Sequence, residues 1–232
     1  MKLNFNLIGF LYVIVFGGIS YIFNIPEIVK AFLAVPVFII IPYLVGISIS
    51  NIILKFINFD YRFDHISYLT INWLIGLFFM VSLIEIFQFF SLFILIKNFH
   101  YLLSLFLLIS LVFSKFDKPK VILNNLKNKL NLGFFILPFI PFLILIKYIP
   151  FPKIGFNWMD LAFLYQPTMR IINEGYFYSG RPASVLISYI PSAFFNLDPL
   201  GSMWVGRLGG YLILGVGLYF FAYSFSKNRF IA

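Results

Sequence analysis

GFNWMDLAFLYQPTMRIINEGYFYSGRPASVLISYIPSAFFNLDPLGSMWVGRLGGYLILGVGLYFF, residues 155–221, is the stretch on which the reading of the whole chain turns. One apolar run, Leu132–Ile149, leads into it, and a second, Met203–Phe225, closes it. Between them lie an aspartate, Asp160, two short amphipathic pieces and several arginines. The piece Ala183–Asn196 has about 14 residues, whereas a helix needs about 20 to cross a bilayer. Its serines recur at a spacing of four, Ser184, Ser188 and Ser192, which makes a polar stripe suited to a helix lying in an interface. Pro182 fits the first turn of that helix. In the other piece, Leu161–Asn173, Gln166, Arg170 and Asn173 share one face, and Leu161, Leu164, Tyr165 and Ile172 supply apolar contacts. Pro167 is expected to bend or interrupt this helix, and Gly175, after Glu174, to cap its C-terminus. The pattern predicts two surface helices joined by a turn over Gly175–Arg181.

The rest of the chain explains why such helices would lie on a surface. Of 232 residues, 62% are hydrophobic and 11% charged, and the mean hydropathy is +0.98. Soluble domains carry about a quarter charged residues. A water-soluble globule of this length still needs a polar exterior, so this composition predicts residence in lipid. The formal charge of +9 is spread between apolar runs and gathered in one loop. That is the pattern of topology signals and contact with anionic lipid, and it argues against nucleic acid as the partner. The absence of cysteine excludes a disulfide framework and a thiolate metal site.

Reading toward the N-terminus, Lys2 precedes an apolar run over Phe5–Phe23, too long for a signal-peptide core, which predicts a retained first span. Asn24, Pro26 and Glu27 form an external turn. The second span, Ile28–Leu54, contains Pro36 and Pro42 and is expected to kink there. A polar loop follows with Lys55, Asp60, Arg62, Asp64 and His65. The third span, Ile66–Ile96, carries Glu85 and Gln88 on one face. An ionisable group at that depth is expensive, so Glu85 either bonds within the bundle or serves a transport path. Lys97, Asn98 and His100 make a brief turn before the fourth span, Tyr101–Phe113. The segment SKFDKPKVILNNLKNKLN, residues 114–131, holds five lysines against Asp117 alone and reads as cytoplasmic. The fifth span, Leu132–Ile149, then crosses outward and is closed by Pro150 and Pro152.

With both short helices lying flat, the sixth span, Met203–Phe225, returns inward, and Lys227 and Arg229 join Lys2 and the lysine-rich loop on the cytoplasmic side. The expected fold is an all-α, polytopic transmembrane bundle of about six spans with two interfacial helices in an external loop. It would be a multi-pass plasma-membrane protein with both termini cytoplasmic. Residues 1–130 form a four-span region ending in the basic loop. Residues 131–232 form a helix, an external loop and a return helix.

Asp160, Glu174-Gly175-Tyr176, Arg181-Pro182 and Arg207, placed between an outward and a return helix, resemble the first external loop of the polytopic GT-C glycosyltransferases. These include protein mannosyltransferases, aminoarabinose transferases and oligosaccharyltransferases. The resemblance covers about Gly155–Phe225 and rests on spacing and topology rather than a rigid motif. It implies a sugar carried on a polyprenyl phosphate as donor, and Asp160 as catalytic base or ligand of a divalent metal. Many members place two acidic residues together in this loop, whereas Asp160 stands between Met159 and Leu161, which leaves metal binding open. Members of the family also have further spans, so the resemblance implies the N-terminal part of such an enzyme, or a chain completed by a partner.

The chemistry suits these residue types. An acceptor hydroxyl loses its proton as it attacks the anomeric carbon, and a positioned carboxylate accepts it. Arg170, Arg181 and Arg207 offer planar forks to the leaving phosphate, and Glu174 completes the substrate-binding set. Each assignment has a plainer counterpart. Asp160 fits an N-cap, and the arginines fit contact with lipid phosphates or snorkelling to headgroups. Two other functions stay open: a non-catalytic membrane subunit or lipid-binding scaffold, and a small transporter built on Glu85, although no inverted internal repeat is visible.

Overall fold

The computed structural model describes residues 5–57, 65–113, 164–177, 182–206 and 208–210, with side chains over 6–53, 70–112 and the last three ranges. The lysine-rich loop, the fifth predicted span, most of the sixth, residues 58–64 of the polar loop, Asp160, Arg181 and Arg207 lie outside these residues, while Lys55 and His65 fall at the ends of helices. All regular structure among the described residues is helical. It comprises α1 (Phe5–Ile22), α2 (Glu27–Ala34), α3 (Val37–Ile57), α4 (His65–Phe89), α5 (Phe93–Lys97), α6 (Phe99–Phe113), α7 (Gln166–Glu174) and α8 (Pro182–Phe195). Helical backbone resumes over 199–206 and 208–210. Two stretches, Glu27–Ile53 and Thr70–Phe89, are long and apolar enough to cross a membrane.

The second predicted span runs as one apolar helical stretch, Glu27–Ile53, with a turn at Val35-Pro36 between α2 and α3 where Val35 keeps helical angles, φ −53° and ψ −47°, while Pro42 sits inside α3. Pro42 has no N–H to give to the Phe38 carbonyl four residues back. The indole Nε1 of Trp73 on α4 donates to that oxygen instead, at 3.2 Å. The helix therefore continues through the proline because a neighbour supplies the missing donor.

Helices α3 and α4 form the most extensive pair in the fold, and glycine makes their approach feasible. A β-carbon on Gly46 would land on the Asn72 carbonyl oxygen, and one on Gly76 on the Pro42 carbonyl oxygen. Backbone-to-backbone approach of this kind needs a residue without a side chain. Near the crossing, Ser50 Oγ donates to the Gly46 carbonyl at 2.7 Å and lies against the Asn72 side chain. On the other side of α3, Ser48 Oγ lies 3.0 Å from the carbonyls of Leu44 and of Phe106 on α6. A buried hydroxyl is tolerated because it finds acceptors within the helix and across it.

The third predicted span also needs correction. Helix α4 stops at Phe89 rather than continuing to Ile96, because Ser91 takes a left-handed conformation with φ 56° and the Leu92 N–H turns back to the Phe87 carbonyl. The short α5 follows before α6 begins at Phe99, slightly earlier than expected. At a rise of about 1.5 Å per residue, the 15 residues of α6 fall short of a bilayer core of about 30 Å.

Helix α7 is α-helical from Gln166, with Pro167 in its first turn, and is preceded by π-helical backbone at Leu164 and Tyr165, so the regular helix is interrupted just ahead of the proline. Its far end matches expectation. Gly175 caps it with φ 68°, and the N–H groups of Gly175 and Tyr176 reach the carbonyls of Ile171 and Arg170 at 3.1 and 3.3 Å. Helix α8 starts at Pro182 as expected, but its serine stripe points inward. Ser188 and Ser192 are buried, Ser188 Oγ donates to the Ser184 carbonyl, and Ser192 Oγ meets Ser202 Oγ at 2.6 Å. Tyr189, Phe195, Phe99, Phe177 and Trp204 are the largest fully buried side chains, so the densest part of the core surrounds this helix. Helical spacing had identified a polar face, but the serines satisfy themselves within the protein and need no water.

Candidate functional site

Helix α8 and its flanks are pinned to one end of the bundle by four of the preceding helices. At the start, Gln88 Oε1 near the end of α4 accepts the Phe177 N–H at 2.9 Å. In the middle, His100 Nδ1 near the start of α6 meets Tyr189 Oη at 3.2 Å. At the far end, Tyr21 Oη near the end of α1 donates to the Ala193 carbonyl at 2.6 Å. Lys30 Nζ, in α2, donates to the Asn196 carbonyl at 3.2 Å. Helices α1 and α4 therefore end where α2 and α6 begin. Tyr189 and Ala193 of α8, and Phe177 and Asn196 on either side of it, are all held at that common end.

The α2 anchor extends into a small polar network. Lys30 Nζ also donates to Glu27 Oε1 at 2.9 Å, and its side chain is only 9% exposed. The other oxygen of Glu27 accepts the Asp198 N–H at 3.1 Å. Asp198 Oδ1 accepts the Leu200 N–H at 2.8 Å and so caps the helical stretch that follows. Between α2, α7 and this corner opens a cleft of about 420 Å³. Glu27, Lys30, Ser192, Asn196 and Asp198 line its polar side, and Met169, Ile172, Leu197 and Pro199 its apolar side.

Of the residues singled out from sequence, Arg170 and Glu174 are described; both stand exposed on α7, and neither lines the cleft. Tyr176 packs its ring against Phe93, centroids 6.0 Å apart. Glu85 is exposed on α4 and does not line the cleft, whereas its helix-mate Gln88 holds Phe177. Among the described residues, no three of His, Asp and Glu gather as a metal-ligand set. Asp160, the expected base or ligand, lies outside them. Sequence reading passed over Lys30, which it absorbed into the second span, and over Asp198. The available signal was a Glu-x-x-Lys pair at a spacing of three, directly after a proline and followed by an apolar run.

Comparison of the chain with protein-family models, curated proteins and solved structures finds no match.

Proposed function

We propose that this chain is a membrane glycosyltransferase, or the N-terminal part of one, acting at the external face on a sugar carried by a polyprenyl phosphate. The observation that carries the reading is the holding of Phe177, Tyr189, Ala193 and Asn196 at one end of the bundle by α4, α6, α1 and α2. A loop that merely connected two spans would not need four helices to hold it. In the topology argued from the lysines, this same end is the non-cytoplasmic one, because Lys2 and the loop after α6 belong to the other. Residence in lipid is supported by α4. Over Thr70–Phe89 it is strongly apolar, yet only 22% of that stretch is buried by the rest of the protein. The exposed side chains include Leu74, Phe78, Ile86 and Phe89. Such a face is a liability in water and suits hydrocarbon, with the exposed Glu85 of the same face close to the end of α4, at headgroup level in this reading. The remaining spans of the six-span plan, Leu132–Ile149 and Met203–Phe225, complete the fold in this reading.

In this reading Asp160 accepts the acceptor's proton, or holds a divalent metal. Arg170, Arg181 and Arg207 steady the departing phosphate, with Glu174 beside them on α7. The exposed positions of Arg170 and Glu174 leave them free to meet a headgroup. Further spans or a partner chain would complete the active site. The experiment is sugar transfer by membranes containing Asp160→Asn and supplied with a polyprenyl-phosphate sugar. Loss of a general base lowers the rate by about 10²–10⁴-fold. Transfer at the parental rate would remove Asp160 from the mechanism and favour a non-catalytic membrane subunit.

A further inference from the structure

We infer that the cleft between α2, α7 and the Asn196–Pro199 corner binds a hydroxyl-rich head group of single-sugar size that bears no negative charge. Its volume of about 420 Å³ suits a ligand of that size. The floor mixes unused donors and acceptors. A lysine ammonium has three N–H groups. Two of Lys30's are engaged by Glu27 and Asn196, and the third has no acceptor among the described residues, although the side chain is more than nine-tenths buried. Because Lys30 lines the open cleft, this N–H can be offered to an incoming hydroxyl oxygen. Asp198 spends one oxygen on the Leu200 N–H, and its second has no donor among the described residues, so a ligand O–H or N–H can reach it. Met169, Ile172, Leu197 and Pro199 offer an apolar wall to the C–H face of a sugar ring.

Charge sets the class. Glu27 and Asp198 place two carboxylates against the single ammonium of Lys30, so the cleft is net negative and repels a phosphate. A neutral or amine-bearing sugar is accepted. Calling the cleft the sugar subsite of a transferase rests on the function proposed above; the binding itself does not.

The test is saturation-transfer NMR on the full chain in phosphatidylcholine nanodiscs, which avoids sugar-based detergents, with methyl glucoside, glucosamine and glucose 6-phosphate as probes. Transfer to the first two is expected, with the phosphorylated sugar weaker by about fivefold or more. Met169→Trp, which fills the cleft, is expected to abolish both signals. Asp198→Asn keeps the helix cap but removes one charge, and is expected to narrow the discrimination against glucose 6-phosphate. No saccharide signal, equal or stronger binding of the phosphorylated sugar, or a preference unmoved by Asp198→Asn would each overturn the proposal. Adding a glucosyl diacylglycerol to the nanodisc separates sources. Suppression of the free-sugar signal identifies a lipid head group, and persistence identifies a soluble saccharide. Saccharide binding without any transfer from a polyprenyl-phosphate sugar would sustain this inference and retire the transferase reading. Transfer without binding at the cleft would do the reverse.

Discussion

Replacing Lys30 with methionine would leave the Glu27 carboxylate and the Asn196 carbonyl facing one another with no cation between them. Glu27 remains partly solvated, so the loss is that of charge-assisted hydrogen bonds rather than of a fully buried pair. We expect Lys30→Met to lower stability by about 2 kcal/mol in reversible unfolding from mixed micelles. We also expect it to free the Asn196–Pro199 corner to proteolysis before the rest of the bundle. Stability within error of the parent would remove Lys30 from its structural role. Sequence did not reveal this residue for a physical reason. Its distant partner is a backbone carbonyl at Asn196, and a carbonyl is present at every position, so nothing in the sequence marks it. Gly175 was legible for the opposite reason: a left-handed cap after a helix strongly favours glycine, so the residue type itself reports the conformation.

At the scale of elements, the apolar runs located the helices but not their breaks. Between Phe89 and Ile96 almost every residue is apolar, so hydropathy could not show that Ser91 ends α4 and that a separate short helix follows. The two prolines of the second run were legible as a disturbance, but their consequences differ. Pro36 marks a turn within a stretch that stays helical, while Pro42 is carried inside α3 by a donor from another helix. If Trp73 compensates for Pro42, the two are energetically coupled. Trp73→Phe is expected to cost about 1 kcal/mol in the parent through the lost hydrogen bond. It should cost appreciably less of this in a Pro42→Ala background, where the backbone N–H of residue 42 again serves Phe38. A double-mutant cycle on unfolding free energies measures the coupling. Strict additivity would mean that the indole contributes packing alone. The serine stripe of α8 shows the limit of periodicity. Spacing shows that polar groups share a face, but serines can satisfy one another inside a protein, so the face need not meet water.

At the scale of the whole molecule, the apolar runs pointed to helices, and the described residues are all-helical, with two stretches long and apolar enough to cross a membrane. The gathering of α8, its flanks and the Glu27–Lys30 network at one end was not legible, because it depends on contacts between residues 89 to 172 positions apart. We have proposed that this end is the non-cytoplasmic face and carries the chemistry. The chain has no cysteine, so single reporters can be introduced without background. The most direct measurement is labelling of Asn24→Cys, Asn98→Cys, Asn173→Cys and Lys118→Cys with a membrane-impermeant thiol reagent, in intact and in permeabilised cells. The first three are expected to react in intact cells, and Lys118→Cys only after permeabilisation. Labelling of Asn173→Cys from the same side as Lys118→Cys, opposite to Asn24→Cys and Asn98→Cys, would contradict the proposal.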